Sequence, residues 1–170
     1  MSTSPDTFLA GVVSRKAAAE LDAALPAGEV VLAGSAPADV FLVKGVASPA
    51  DLSQGTALAG ADGEAARKAL AALGWDVSVF ALCVRQGEQA LESESLALAM
   101  EAVDPDLVVA LDDVAAADVA EALGIASLHF GDPVRVAGRL VLAVDGLEAS
   151  LSDDARKRRV WAQLKSVQRD

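Results

Sequence analysis

The chain has one cysteine, Cys83, in 170 residues, and neither tyrosine nor asparagine. A single thiol excludes an internal disulfide and any site built from several cysteines. Aromatic residues make up 4% against a hydrophobic share of 53%, so the core has to be packed from Ala, Val and Leu. Long apolar runs are also missing. None reaches the roughly 18 residues that span a bilayer, so no membrane segment is expected. Met1 to Thr7 lack the basic stretch of a secretory leader, and the expected compartment is the cytoplasm. Positive charge is scarce as well: 14 Lys and Arg face 25 Asp and Glu, a net charge of −11. Duplex DNA attracts a Lys/Arg footprint, so this balance argues against nucleic acid as a general partner.

What is present alternates between short apolar runs and amphipathic stretches. Residues 1–7 are expected to be a disordered tail, and 8–170 a single domain. Phe8 to Leu25 has helical spacing of Leu9, Val12, Val13, Ala17 and Leu21, and Pro26 and Gly28 stop it. Glu29–Gly34 reads as a strand. Val40–Val43 is apolar on both faces, the pattern of a central parallel strand. It runs into Lys44-Gly45 and the Gly-, Pro- and Ser-rich loop Val46–Gly63. A helix follows over 62–73, with Asp62 as N-cap and Gly74 beyond its end. Strand 77–84, helix 91–103, strand 107–111 and helix 114–123 come next. Residues 125–136 are irregular around a short strand at 127–130. Strand 139–144 and helix 152–168, capped by Ser152, close the chain. Strands alternating with helices predict an α/β fold: a three-layer α/β/α sandwich on a central four-stranded, mostly parallel sheet.

The order of these pieces resembles the uracil-DNA glycosylase superfamily, above all its bacterial iron–sulfur type, from about residue 20 to residue 168. Glu29–Gly34 is similar to the strand before the family's first motif. Ala38-Asp39 with Phe41–Val43, running into Gly45, is similar to the strand that ends in its Gly-Glu-Ala-Pro-Gly loop. Gln54–Gly63 resembles the Gly-x-Pro-Phe-Val-Gly-x-Ala-Gly stretch, and Ala69–Trp75 the helix end after it. Asp106–Leu111 resembles the third strand, and Lys157–Lys165 the final Lys/Arg–Trp–Leu helix.

The departures fall on the positions that carry the family's chemistry. Val46 stands where the resemblance implies an acid near the attacking water. A second register, on Gly34–Pro37, supplies no acid either. Leu58 stands for the Phe that stacks the flipped base, Cys83 for the Asn that reads the uracil edge, and Asp145-Gly146-Leu147 for the His-Pro-Ser loop. The four cluster cysteines are absent, so no cofactor and no iron–sulfur cluster is expected. A glycosylase must stack the base, grip its edge and stabilise the charge of the leaving group. Leu58 offers no π-face, Cys83 is a weak donor, and Asp145 adds an anion. Uracil excision is therefore not expected, and no catalytic residue is assigned.

The resemblance and the strand ends together give a candidate pocket of Lys44, Gly45, Val46, Leu58, Cys83, Asp112 and Asp145. Lys44, Asp51, Asp112, Asp113 and Asp145 all lie at or beyond strand ends, which share one edge in a parallel sheet. They read either as a carboxylate cluster for a cation or polar ligand, or as solvated acids and helix caps. Cys83 reads as buried core and His129, the lone histidine, as a rim residue. The spacing of Gly55, Gly60 and Gly63 fits a phosphate cradle or a loop that only shapes the fold. Arg156–Arg159 reads as a phosphate contact or a solvated helix face. The first expected function is a non-catalytic binding or protein-interaction module. The second is an enzyme of different chemistry, acting on a nucleoside or nucleotide with the strand-end carboxylates. The third is a residual glycosylase or nucleic-acid binder. The expected partner is an unidentified protein or small ligand, not a membrane, and a homodimer is left open.

Overall fold

The computed structural model describes residues 4–25, 30–75 and 77–170. In chain order the elements are α1 (Pro5–Ala24), β1 (Val31–Ala33), β2 (Val40–Val46), α2 (Pro49–Gln54), α3 (Ala61–Ala72), β3 (Val79–Gln86) and β4 (Gln89–Ala90). Then come α4 (Ser93–Val103), β5 (Leu107–Ala110), α5 (Asp113–Leu123), β6 (Val134–Val136), β7 (Arg139–Ala143), α6 (Leu147–Ser150) and α7 (Asp154–Leu164), which runs on into a 3-10 turn, Lys165–Val167.

The fold is α/β, and β2 is its axis. It pairs in parallel with β3 on one side and β5 on the other, and β5 pairs in parallel with β7. Period-2 alternation explains why β2 is apolar throughout. Phe41 and Val43 pack with residues of α1, α4 and α5 on one face. Val40 and Leu42 pack with residues of α3 and α7 on the other. Phe41 meets Phe80 of β3 at a ring-centroid distance of 5.3 Å, tilted by 53°. Such pairs add about 0.5–1.5 kcal/mol beyond their burial.

The expectation of a four-stranded sheet is corrected. Among the described residues the sheet has seven strands and is mixed, in the order β1-β3-β2-β5-β7-β6 with β4 beside β3. Beside the four parallel strands, β1, β4 and β6 all pair antiparallel, and β1 falls within the strand expected at 29–34. β4 and β6 are two and three residues long, too short to show alternation in the sequence. The strand expected at 127–130 is instead one bridge, Phe130 to Ala143, and the real edge strand lies at 134–136.

Helix boundaries move for local reasons. α1 opens at Pro5, inside the stretch expected to be a tail, because proline is well placed in a first helical turn. Its expected stop at Pro26 and Gly28 lies outside the described residues. α2 and α6 are short helices inside segments read as loops. The caps of α3, α5 and α7 are Gly60, Asp112 and Asp153, so Asp62 and Ser152 do not cap the helices as expected.

The connections mark out one edge of the sheet as a candidate ligand edge. The chain leaves β2 for β3 on one side, then crosses by α4 to β5 on the other. The strand order therefore reverses between β2 and β5, and ligands of open α/β sheets bind beyond the carboxyl ends of strands at such a point.

Candidate functional site

Lys44 is the last inward residue of β2 on the α3 face, and it is buried. Its Nζ donates to Asp51 Oδ2 at 2.7 Å and Asp62 Oδ2 at 2.8 Å, and lies 3.1 Å from Glu148 Oε2. An ammonium has three N–H donors, and three carboxylates take them.

Each carboxylate is placed by its own local chemistry. Ser48 and Asp51 form a capping box at the start of α2: Asp51 N donates to Ser48 Oγ at 3.3 Å, and Ser48 N donates to Asp51 Oδ2 at 2.9 Å. The other Asp51 oxygen accepts from Ala59 N at 2.8 Å. Asp62 stands in the first turn of α3 and accepts from Gly63 N at 3.0 Å. Gly63 is required by close approach, since a Cβ there would sit 2.0 Å from the Leu58 carbonyl oxygen. Glu148 comes from α6 and is the one solvent-facing member of the group, its side chain 54% exposed.

Burial works against the Lys44 ammonium, but the hydrogen bonds from Asp51, Asp62 and Glu148 outweigh it and hold its pKa above the ordinary value. Burial likewise opposes the Asp51 carboxylate. Lys44 and the N–H groups of Ser48 and Ala59 still pull it below the usual range. Cys83 is the register partner of Lys44 on β3, with its Sγ 3.9 Å from Asp51 Oδ2. Burial first, and the Asp51 charge next, push its thiol up to about 12. Lys44 is thus a fixed cation and Cys83 a protonated thiol, so neither is poised as a nucleophile.

The second half of the site is an open crevice of about 540 Å³ over the carboxyl ends of β2, β5 and β7. Val46, Asp112, Phe130, Asp145, Glu148 and Arg156 are on its wall. Asp112 caps α5, accepting from Ala115 N at 2.8 Å, and its other oxygen accepts from Gly45 N at 2.9 Å. That bond ties β2 to α5, and it needs a glycine. A Cβ at Gly45 would lie 2.4 Å from Asp112 Oδ1 and 2.7 Å from Val114 Cβ. Asp145 accepts from Arg159 NH1 at 2.7 Å and faces Arg156 NH2 at 3.6 Å, while its N–H donates to Gln163 Oε1 at 2.8 Å. Phe130 is 40% exposed, an aromatic face held by its bridge to Ala143.

The expected pocket residues therefore separate. Val46, Asp112 and Asp145 line the crevice, and Gly45 braces its floor. Lys44 meets it only through Glu148. Leu58 and Cys83 are elsewhere. Leu58, with φ +55°, lines a smaller hollow of about 180 Å³ with Leu42, Gly63 and Arg67. Cys83 lies in the core beside Asp51. Asp51 joins Lys44 inside, whereas Asp112, Asp113 and Asp145 share the crevice. The expected strand-end cluster is thus two groups. Among the described residues no three His, Cys, Asp or Glu side chains are arranged to hold a metal ion. A lone buried Cys83 does not fit a thiolate-ligated iron–sulfur cluster either. His129 is exposed, its Nε2 3.3 Å from Ser127 Oγ.

Sequence reasoning missed Asp62, Glu148 and Phe130 as site residues. Asp62 had a signal: a lysine inside an apolar strand needs counter-ions, and the next helix offers an acid in its first turn. Glu148 and Phe130 are placed by irregular segments and gave none. The chain matches no family model, and none of the curated proteins matches it.

Proposed function

We propose that this chain is a non-catalytic binding module on a uracil-DNA glycosylase-like scaffold, and that its crevice takes a small planar ligand bearing amino donors, such as a free adenine or cytosine nucleoside. One observation carries the reading. The crevice at the strand-order reversal combines an exposed aromatic face, Phe130, with the carboxylates of Asp145 and Glu148. Its volume of about 540 Å³ falls within the usual range for ligand pockets, about 300–1,000 Å³. Carboxylates only accept hydrogen bonds, so they favour a ring edge that donates. The uracil edge presents two acceptors around one donor, and the one donor side chain on that wall, Arg156, is turned to Asp145, so that edge fits poorly. The net charge of −11 disfavours a phosphate backbone and so favours a free ligand over DNA.

The scaffold half of the reading draws support from four consecutive parallel strands, β3-β2-β5-β7, with helices packed on both faces. The resemblance in motif order adds to it. The non-catalytic half rests on how the reactive groups are held. Lys44 is locked by three carboxylates, the Cys83 thiol is pushed up to about 12, and both oxygens of Asp112 accept backbone N–H groups.

Calorimetric titration with adenosine, cytidine and uridine tests the ligand class, and a uracil-excision assay on single- and double-stranded DNA tests the chemistry. Adenosine or cytidine should bind at least about tenfold tighter than uridine, because an unpaired edge in the site costs at least ~1.4 kcal/mol. Phe130→Ala should weaken that binding about tenfold, since a stacked base contributes roughly 1–3 kcal/mol. Preference for uridine, or turnover on uracil-containing DNA, would overturn the proposal.

A further inference from the structure

Among the described residues, α1 meets the core through its second half. From Pro5 to Lys16 none of the described residues is buried, and packing on the body begins at Ala17, Leu21 and Ala24. At 1.5 Å per residue this free stretch is about 18 Å long. It carries an apolar stripe at i, i+3 and i+4: Leu9, Val12 and Val13, with Leu9 58% and Val13 51% exposed. The stripe lies about a quarter turn round the helix from Ala17 and Leu21, so the body does not cover it. Thr7, Gly11, Val12 and Val13 are all poor helix formers. A helix this short, with such a composition, gains its stability from packing an apolar face.

We infer that α1 is an interaction surface for a second copy of this chain, the two helices lying antiparallel about a twofold axis. Charge complementarity selects this occupant. The stripe is flanked by an acid at its start, Asp6, and by a base at its far end, Lys16. In the antiparallel register that sets Leu9 against Val13 of the other copy, Asp6 falls against Lys16. The twofold axis then repeats both pairs. A parallel pairing would set Asp6 against Asp6 and Lys16 against Lys16. Lys16 is available for the exchange, because its own partner is Glu20 at 3.7 Å between exposed side chains, a weak surface pair. Antiparallel helix dipoles also favour the arrangement. Three turns of helix bury less than the standard ~800 Å² per partner, so the dimer is concentration-dependent.

Sedimentation velocity on the full chain, from about 1 µM to several hundred µM, reads the mass. The expected result is a shift from one chain to two. Leu9→Ser with Val13→Ser should leave the melting temperature unchanged at about 1 µM, where the chain is a monomer, and abolish the shift, since both residues are exposed. Asp6→Lys alone and Lys16→Glu alone should each weaken association at least about fivefold, a loss of ~1 kcal/mol. Mixing those two variants in equal amounts should restore it, as should combining them in one chain. A chain that stays monomeric throughout would overturn the inference. So would a dimer that ignores Leu9 and Val13, or a charge mixture without rescue. A monomer that co-sediments with anionic phospholipid vesicles, and loses this with the double Ser variant, would assign the stripe to a lipid surface instead.

Discussion

Lys44 is the residue on which the α3 face of the sheet depends electrostatically. Asp51 and Asp62 are buried beside it, and each places an oxygen within 2.8 Å of its Nζ. Lys44→Met keeps the approximate volume and removes the charge, leaving both carboxylates buried without a counter-ion. It should cost about 3–5 kcal/mol in urea unfolding at neutral pH, and adding Asp51→Asn and Asp62→Asn should recover part of that. A loss below about 1 kcal/mol would show that the cluster is solvated and does not matter to the fold. The pH dependence has a defined sign. The Asp51 carboxyl is held below its ordinary 3.8, so its stabilisation is present above that value and is lost as pH falls through the lowered folded value. The Lys44 pKa is raised, so its contribution is full below the ordinary 10.5 and is lost only as pH rises beyond it. The urea midpoint should therefore be flat from about pH 5 to 8 and drop below about pH 4, and Asp51→Asn should make the acid limb shallower. At this scale the sequence identified Lys44 as a strand-end cation and placed Asp51 among the acids near the strand ends, without pairing the two. It could not reveal Glu148, which reaches Lys44 from more than 100 residues away through a four-residue helix.

The elements that bury both faces were the readable ones. Val40–Val43 and Leu107–Leu111 are apolar without alternation, and only a sheet covered on both sides requires that. The short strands β4 and β6 and the helix α2 were not readable, because two to six residues carry no period. The junction of β2 with α5 is where element packing becomes site geometry. Gly45→Ala would place a methyl 2.4 Å from Asp112 Oδ1 and force the cap of α5 away from β2. The expected cost is about 1–3 kcal/mol, typical of overpacking, together with weakened binding in the crevice. Denaturant unfolding and a ligand titration on the same variant would check both. A variant with native stability and native binding would mean that the β2–α5 contact does not shape the crevice.

As a whole molecule, the chain places a shaped crevice at the reversal of strand order and keeps its buried reactive groups out of it. The crevice itself could be located from the sequence, because parallel strands present their carboxyl ends on one edge and Asp112 and Asp145 fall there. Its chemistry was less legible. Leu58 and Cys83 matched motif positions but face other parts of the core, while the aromatic surface comes from Phe130, in a segment whose path depends on one bridge to β7. A heteronuclear NMR titration of the intact chain with adenosine and cytidine, with uridine as the control, tests the central claim most directly. The account predicts saturable shifts for adenosine or cytidine at Val46, Asp112, Phe130 and Arg156, with much weaker effects from uridine. No saturable shift with any nucleoside, or shifts centred away from the crevice, would contradict it.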